Sequence, residues 1–313
     1  MTARRVTTIA QMREVCAAER AAGRRIGLVP TMGALHEGHL ANVRLAAEVA
    51  DTVIVSVFVN PRQFDRSDDL SGYPRDLAGD EAQLADLGEA SPAVVFAPHV
   101  TEVYPRDPAV TVTVTGLTDR LCGATRPGHF DGVATVVTKL FNMTAPDVAV
   151  FGRKDYQQLQ VIRRLVADLD LPVEIVAAPT VREEDGVAMS SRNRRLGPED
   201  REAARVLPRA LRAAVEAARE QRAAGRRPSV EVLRRAVTDT LRTASAIQID
   251  YVEVLDPETL APPDSYGRGE DDETEQEQLL VALAAHVGPV RLIDNVVVGD
   301  AQDEARLAPH ASE

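Results

Sequence analysis

Cysteine is scarce in this chain: of 313 residues only Cys16 and Cys122 are cysteines, far apart and outside any C-x-x-C pair. That excludes a disulfide framework and a zinc knuckle and leaves two ordinary reduced thiols. No apolar run approaches the roughly 20 residues that a membrane helix needs. The opening Met1-Thr2-Ala3-Arg4-Arg5 has no apolar segment behind its arginines to make a secretory signal. A cytoplasmic protein without membrane contact is therefore expected. Positive charge is in deficit: 36 Lys and Arg face 48 Asp and Glu, for a formal net charge of −12. Such a surface repels phosphate backbones and anionic lipid, so nucleic acid is not expected as a partner. Missing as well are a G-x-x-x-x-G-K-[ST] loop and a G-x-S-x-G elbow. Any ATP is then held without a P-loop, and no hydrolase-type serine nucleophile is offered.

What is present is the material of a globular core, with 44% hydrophobic and 27% charged residues. The length suggests one large domain with a smaller companion. Thr8 followed by Gln11 forms a capping-box pattern ahead of a helix over 9–22. Apolar runs at 26–30, 53–59, 93–96, 147–151 and 173–176 read as strands, and the segments 38–50, 76–87, 132–142 and 155–168 as helices between them. The run Val53-Ile54-Val55-Ser56-Val57-Phe58-Val59 is apolar almost throughout, which suits a parallel strand covered on both faces. Alternation of this kind predicts an α/β fold: a Rossmann-like parallel sheet domain over 1–184, followed by a smaller C-terminal α+β domain over 185–313. In that second domain helices are expected over 199–222 and 229–243 and strands near 249–255, 279–285 and 290–298. An exposed acidic loop near 264–278 and a frayed tail beyond Asp300 complete the expectation.

Three segments carry chemistry. In Pro30-Thr31-Met32-Gly33-Ala34-Leu35-His36-Glu37-Gly38-His39, two histidines three apart stand at a helix start after a strand. Free N–H groups, the positive end of the helix dipole and two glycines suit a polyphosphate there. Taken alone, the pair reads as readily as an ordinary helix start; a zinc reading fails on spacing, because H-E-x-x-H sets its histidines four apart. Gly152-Arg153-Lys154-Asp155-Tyr156-Gln157-Gln158 repeats the strand, glycine, cation and helix-start order. Asp185-Gly186-Val187-Ala188-Met189-Ser190-Ser191-Arg192-Asn193 joins two hydroxyls to a guanidinium, either a mobile phosphate clamp or a plain linker. Two polar loops, Phe58 to Phe64 and Arg126 to Gly132, lie between them.

Taken in order, these segments closely resemble the pantothenate synthetases, a family of the nucleotidylyltransferase superfamily related to class I aminoacyl-tRNA synthetases. The His36 to His39 loop resembles that superfamily's HxGH element, and Met189-Ser190-Ser191-Arg192 its counterpart of the KMSKS loop. The resemblance implies an ATP-dependent ligase that activates pantoate as an adenylate and passes it to β-alanine, with magnesium accompanying ATP and a homodimer as the assembly. It implies an ATP site lined by Met32, Gly33, Ala34, Leu35, His36, Glu37, Gly38 and His39, with His39 as proton donor. The resemblance has Gly152, Arg153, Lys154, Asp155, Val181, Met189, Ser190, Ser191 and Arg192 complete that site, and His36, His39, Lys154, Ser190, Ser191 and Arg192 are the residues expected to carry catalysis. By the same resemblance Gln63 and Gln158 are expected to bind pantoate, with Asn60, Arg126 and His129 close to the substrates. Asp80 marks the magnesium neighbourhood, although this chain has Gly79 where relatives often carry a second acidic residue. Alternatives on the same loops are nucleotidyl transfer to a phosphorylated acceptor, or a nucleotide-binding protein without turnover.

Overall fold

The computed structural model describes residues 3–65, 67–105, 108–263 and 278–307. The chain divides into two compact units, the first over Met1–Arg153 and Gln157–Ala178, the second over Lys154–Tyr156 and Pro179–Glu313. The expected acidic loop near 264–278 lies, but for Gln278, outside the described residues.

The first unit is built on six parallel strands: β1 (Arg4–Val6), β2 (Ile26–Thr31), β3 (Thr52–Val57), β4 (Val94–Phe96), β5 (Val148–Gly152) and β6 (Glu174–Ala178), in the order β1-β4-β3-β2-β5-β6. Helices fill the connections: α1 (Ile9–Ala21), α2 (Glu37–Val49), α3 (Ser67–Ser71), α4 (Leu77–Ala85), α5 (Val100–Val103), α6 (Leu121–Thr125), α7 (His129–Thr144) and α8 (Tyr156–Asp168). The capping box of α1 forms as its sequence predicts, Thr8 Oγ1 accepting from Gln11 N at 3.2 Å. Val29, Val55, Val95 and Val150, from four adjacent strands, share one core with Leu35, Val43, Ala46 and Leu84. Strand order reverses at β2: its neighbours are β3 on one side and β5 on the other. In open parallel sheets the crevice at such a switch point, outside the carboxyl ends of the strands, is where ligands bind. The loops that begin at Thr31 and Gly152 leave the sheet there.

In the second unit, α9 (Pro198–Ala204), α10 (Val206–Ala223) and α11 (Val230–Leu241) accompany the antiparallel sheet β7 (Ile247–Leu255), β8 (Leu279–Val287) and β9 (Val290–Val298), and α12 (Ala301–Ala305) follows. Leu207, Ala210, Leu211, Ala214 and Ala218 on α10, with Leu233, Val237 and Leu241 on α11, make helical stripes that bury against Val281, Leu283 and Val296.

Two expectations need correction. The single helix over 199–222 breaks at Arg205, because Pro208 has no N–H to offer the Ala204 carbonyl; the break moves that proline into the first turn of α10, where none is needed. The tail past Asp300 is not frayed through 307: Asp300 caps α12 by accepting from Gln302 N and Asp303 N, and Leu307 is buried. Among the described residues no helix is long and apolar enough to cross a membrane.

Candidate active site

The β2 loop is held from below. Thr31 Oγ1 donates to the Ser56 carbonyl at 2.7 Å and accepts from Gly33 N at 3.2 Å. Gly33 (φ 77°) and Ala34 (φ 51°) both turn left-handed, a conformation that an alanine adopts only under constraint. Asp80, from α4, supplies it: its Oδ2 accepts from Ala34 N at 3.1 Å and its Oδ1 from Leu35 N at 2.7 Å. A Cβ on Gly33 would stand 2.8 Å from Asp80 Oδ2, so only glycine fits between loop and carboxylate. Past the turn, His36 is the extended N-cap residue of α2, and the rings of His36 and His39 stack with centroids 4.0 Å apart and planes tilted by 33°. Glu37 turns outward to pair with Arg44.

Asp80, the position expected near magnesium, is 2% exposed with both oxygens on backbone N–H groups. Among the described residues no group of three His, Cys, Asp or Glu side chains is placed to hold a metal ion. Asp80 itself therefore does not fit a magnesium ligand, because both of its oxygens are engaged by the loop backbone. Gly79 has a local cause: it donates to the Asp76 cap of α4 at 2.9 Å, and a Cβ there would overlap that carboxylate.

The second cluster centres on Gln63. Asn60 is buried; its Nδ2 donates to Gln63 Oε1 and to the Gly132 carbonyl, both at 3.0 Å, while its Oδ1 accepts from Tyr104 OH at 2.9 Å. Burial pushes the Tyr104 phenol up to about 12, so it stays a donor at any physiological pH. Gln63 Nε2 in turn donates to Met32 Sδ at 3.0 Å, which ties this cluster to the β2 loop. Arg126 and His129 meet at the Gln63 backbone carbonyl, at 3.1 and 2.7 Å. A carbonyl only accepts, so that contact assigns the proton of His129 to Nδ1 and leaves Nε2 to accept from Arg126 at 3.3 Å. Gly132 is where α7 passes closest: a Cβ there would overlap the Arg62 carbonyl.

Adjacent glutamines on α8 have separate fates. Gln157 is buried and pins the segment before α6, accepting from Cys122 N at 3.0 Å and donating to Leu117 O and Arg120 O at 2.8 and 2.7 Å. Gln158 is half-buried, and its side chain makes no hydrogen bond among the described residues. Sequence reasoning passed over Tyr104 and Gln157, for which no local pattern existed.

In the second unit, the expected clamp is a braced hairpin rather than an open linker. Val181 O accepts from Met189 N at 2.9 Å, Arg182 bridges to Ala188, and Ser190 caps the 3₁₀ turn Ser191–Arg195 by accepting from Arg192 N at 3.3 Å. Arg201 clasps Asp185 at 2.6 Å and Glu183 at 2.7 Å, and Asn193 donates to Glu183 at 2.6 Å. Lys154, on the turn Arg153–Asp155, keeps its ammonium 3.8 Å from Asp155, with 19% of its side chain exposed.

The family model described as Pantoate-beta-alanine ligase matches residues 4–297. The chain belongs to that family. It is therefore a carbon–nitrogen ligase, which condenses pantoate with β-alanine in an ATP-dependent reaction. A pantothenate synthetase of Moorella thermoacetica is 49% identical over 291 residues, covering 93% of this chain and 97% of that protein. The crystal structure of pantothenate synthetase from Thermus thermophilus superposes with a TM-score of 0.82 at 46% identity, over 94% of this chain and 99% of that one. A pantoate-beta-alanine ligase from Francisella tularensis, solved as a complex with beta-gamma ATP and β-alanine, is 31% identical with a TM-score of 0.72, over 96% and 99%. The parallel sheet and the smaller antiparallel domain are thus the pantoate-β-alanine ligase fold.

Proposed function

We propose that this ligase works through a pantoyl adenylate. The carboxylate of pantoate attacks the α-phosphorus of ATP and pyrophosphate leaves; the amine of β-alanine then attacks the acyl carbon of the mixed anhydride, and AMP leaves. The observation that carries this reading is the 3.0 Å contact between Gln63 Nε2 and Met32 Sδ. In this reading it sets the residues that would bind pantoate beside the histidine loop, which suits direct attack of one substrate's carboxylate on the other's phosphorus.

In this reading Met32 to His39 receive ATP at the start of α2, where His36 and His39 donate to phosphate oxygens as negative charge builds. Lys154 is a point charge for the phosphates, and Ser190, Ser191 and Arg192 supply hydroxyl and guanidinium donors, with Gly152, Arg153, Asp155, Val181 and Met189 as their backbone setting. Gln63 and Gln158 orient pantoate without a cation that would drain the attacking oxygen of charge, and Asn60, Arg126 and His129 hold Gln63. No enzyme nucleophile is needed, and magnesium travels with the phosphates and water. The first domain is the nucleotide-binding one; the second is a lid that keeps water from the adenylate and the dimerisation domain of a cytoplasmic homodimer.

Omitting ATP, pantoate and β-alanine in turn and identifying the nucleotide product tests the route. Pantoate-dependent pyrophosphate release without β-alanine, and AMP as product, is the expected result; ADP would mean an acyl phosphate and overturn it. Sedimentation equilibrium tests the dimer.

A further inference from the structure

Two adjacent residues of β9, Asp294 and Asn295, are buried polar side chains in a strand whose other residues, Arg291 apart, are apolar, at 2% and 6% exposure. Each reaches a different segment of the nucleotide site. Asn295 Nδ2 donates to the backbone carbonyl of Lys154 at 2.8 Å. Asp294 accepts both terminal nitrogens of Arg182, at 2.7 and 3.0 Å, and Arg182 also donates to Gly186 O at 3.1 Å. Burial works against the charge on Arg182, but Asp294 outweighs it and the guanidinium stays above its ordinary range. Arg182 in turn forms the bridge with Ala188 that closes the hairpin carrying Met189 to Arg192.

We infer that the Asp294-Asn295 step is a positioning device, which registers Lys154 and the Ser190 to Arg192 loop to one strand so that both cations meet the phosphates together. The inference rests on the phosphate role given above to Lys154 and Arg192. Both segments lie on 3₁₀ turns, which have few hydrogen bonds of their own to fix them. β9, by contrast, is paired along its whole length to β8, whose residues are nearly all buried. Successive strand residues point to opposite faces, so a single peptide unit can hold two segments that are distant in sequence. Charge stabilisation at phosphorus depends on placement within about 0.5 Å, and a 1 Å error costs up to about a hundredfold in rate.

The test separates the half-reactions. Asn295→Asp keeps the shape but replaces the donor with an acceptor facing the Lys154 carbonyl. It should slow pantoate-dependent ATP–pyrophosphate exchange about tenfold or more, while aminolysis of supplied pantoyl adenylate by β-alanine changes less than about twofold, because no phosphorus is then attacked. In a Lys154→Ala background the same substitution should add nothing, and Asp294→Asn should add nothing to Arg192→Ala. Independent, multiplying losses, or equal losses in both half-reactions, would overturn the inference. Should Asn295→Asp fail to fold, Asn295→Ala removes the donor alone and must show the same dependence on Lys154. If Lys154→Ala itself leaves exchange unchanged, the phosphate role of Lys154 fails instead, a result distinct from additivity.

Discussion

Replacing Asp80 with asparagine separates its two conceivable duties, loop anchor and metal ligand. The carboxylate accepts from Ala34 N and Leu35 N at 3.1 and 2.7 Å in a buried position. An asparagine keeps one acceptor for Leu35 but presents an NH₂ group to the Ala34 N–H, so one charge-assisted bond is lost and two donors face each other. A bond to a charged group contributes about 1.5–3 kcal/mol, so a loss of about 3 kcal/mol of stability is expected, a large share of the roughly 5–15 kcal/mol typical of a folded protein. The local effect should be larger than the global one, because Ala34 sits at φ 51° and relaxes once released, carrying His36 with it. Urea titration should give a lowered midpoint with unchanged slope. The KM for ATP should rise roughly tenfold, with the magnesium concentration at half-maximal rate unaltered. Full stability together with a shifted magnesium requirement would refute the anchor and make Asp80 a metal ligand.

Three further outcomes follow from the same contacts. Gly132→Ala forces a Cβ against the Arg62 carbonyl and must displace the turn that carries Gln63; isothermal titration should show weakened pantoate binding with ATP binding intact. Gln158→Ala should raise the KM for pantoate far more than that for ATP at unchanged melting temperature, whereas Gln157→Ala, which strips three hydrogen bonds, two of them buried, should lower the melting temperature. Burial raises the Cys16 thiol from 9.0 to about 11 and the Tyr104 phenol from 10.0 to about 12. The native state therefore holds these protons where the unfolded chain has released them, so the contribution of these two groups to stability should be constant up to about pH 9 and be lost between about pH 9 and 12 in denaturant titrations; a rise in stability over that window would contradict the burial of both groups.

The fold was legible where its period was long and uninterrupted. Val53 to Val57 reads as a parallel strand because both of its faces are covered, and Thr8 with Gln11 marks the start of α1 by chemistry confined to four residues. Elements defined by partners elsewhere left no such mark. β1 is three residues with the pattern Arg-Arg-Val, and only its pairing with β4 makes it a strand. The break at Arg205 was in principle readable, since Pro208 forbids a continuous helix, but the Ala- and Arg-rich periodicity around it masks the interruption.

The site divides along the same line. The histidine pair, the lysine turn and the Ser-Ser-Arg loop are contiguous in sequence, so their residue types and order could be read directly. The holding role of other residues could not, even where the resemblance names the residue, as with Asp80 and Arg126. Asp80 acts on Ala34 across 46 positions, Arg126 on Gln63 across 63, and Asn295 on Lys154 across 141. Each of these contacts ends on a backbone N–H or C=O, which every residue carries, so the partner leaves no signature of its own in the sequence. Residues that bind ligands are recognisable by type, whereas residues that aim them are recognisable only by place. The glycines are the one exception: Gly33, Gly79 and Gly132 each mark a spot where a Cβ would strike the neighbour that fixes the loop or its helix. A glycine within a functional segment that no local turn explains is thus the trace that a distant positioning group leaves behind, as Gly132 is for the turn at Arg62, whereas Gly33 answers both to Asp80 and to its own left-handed turn.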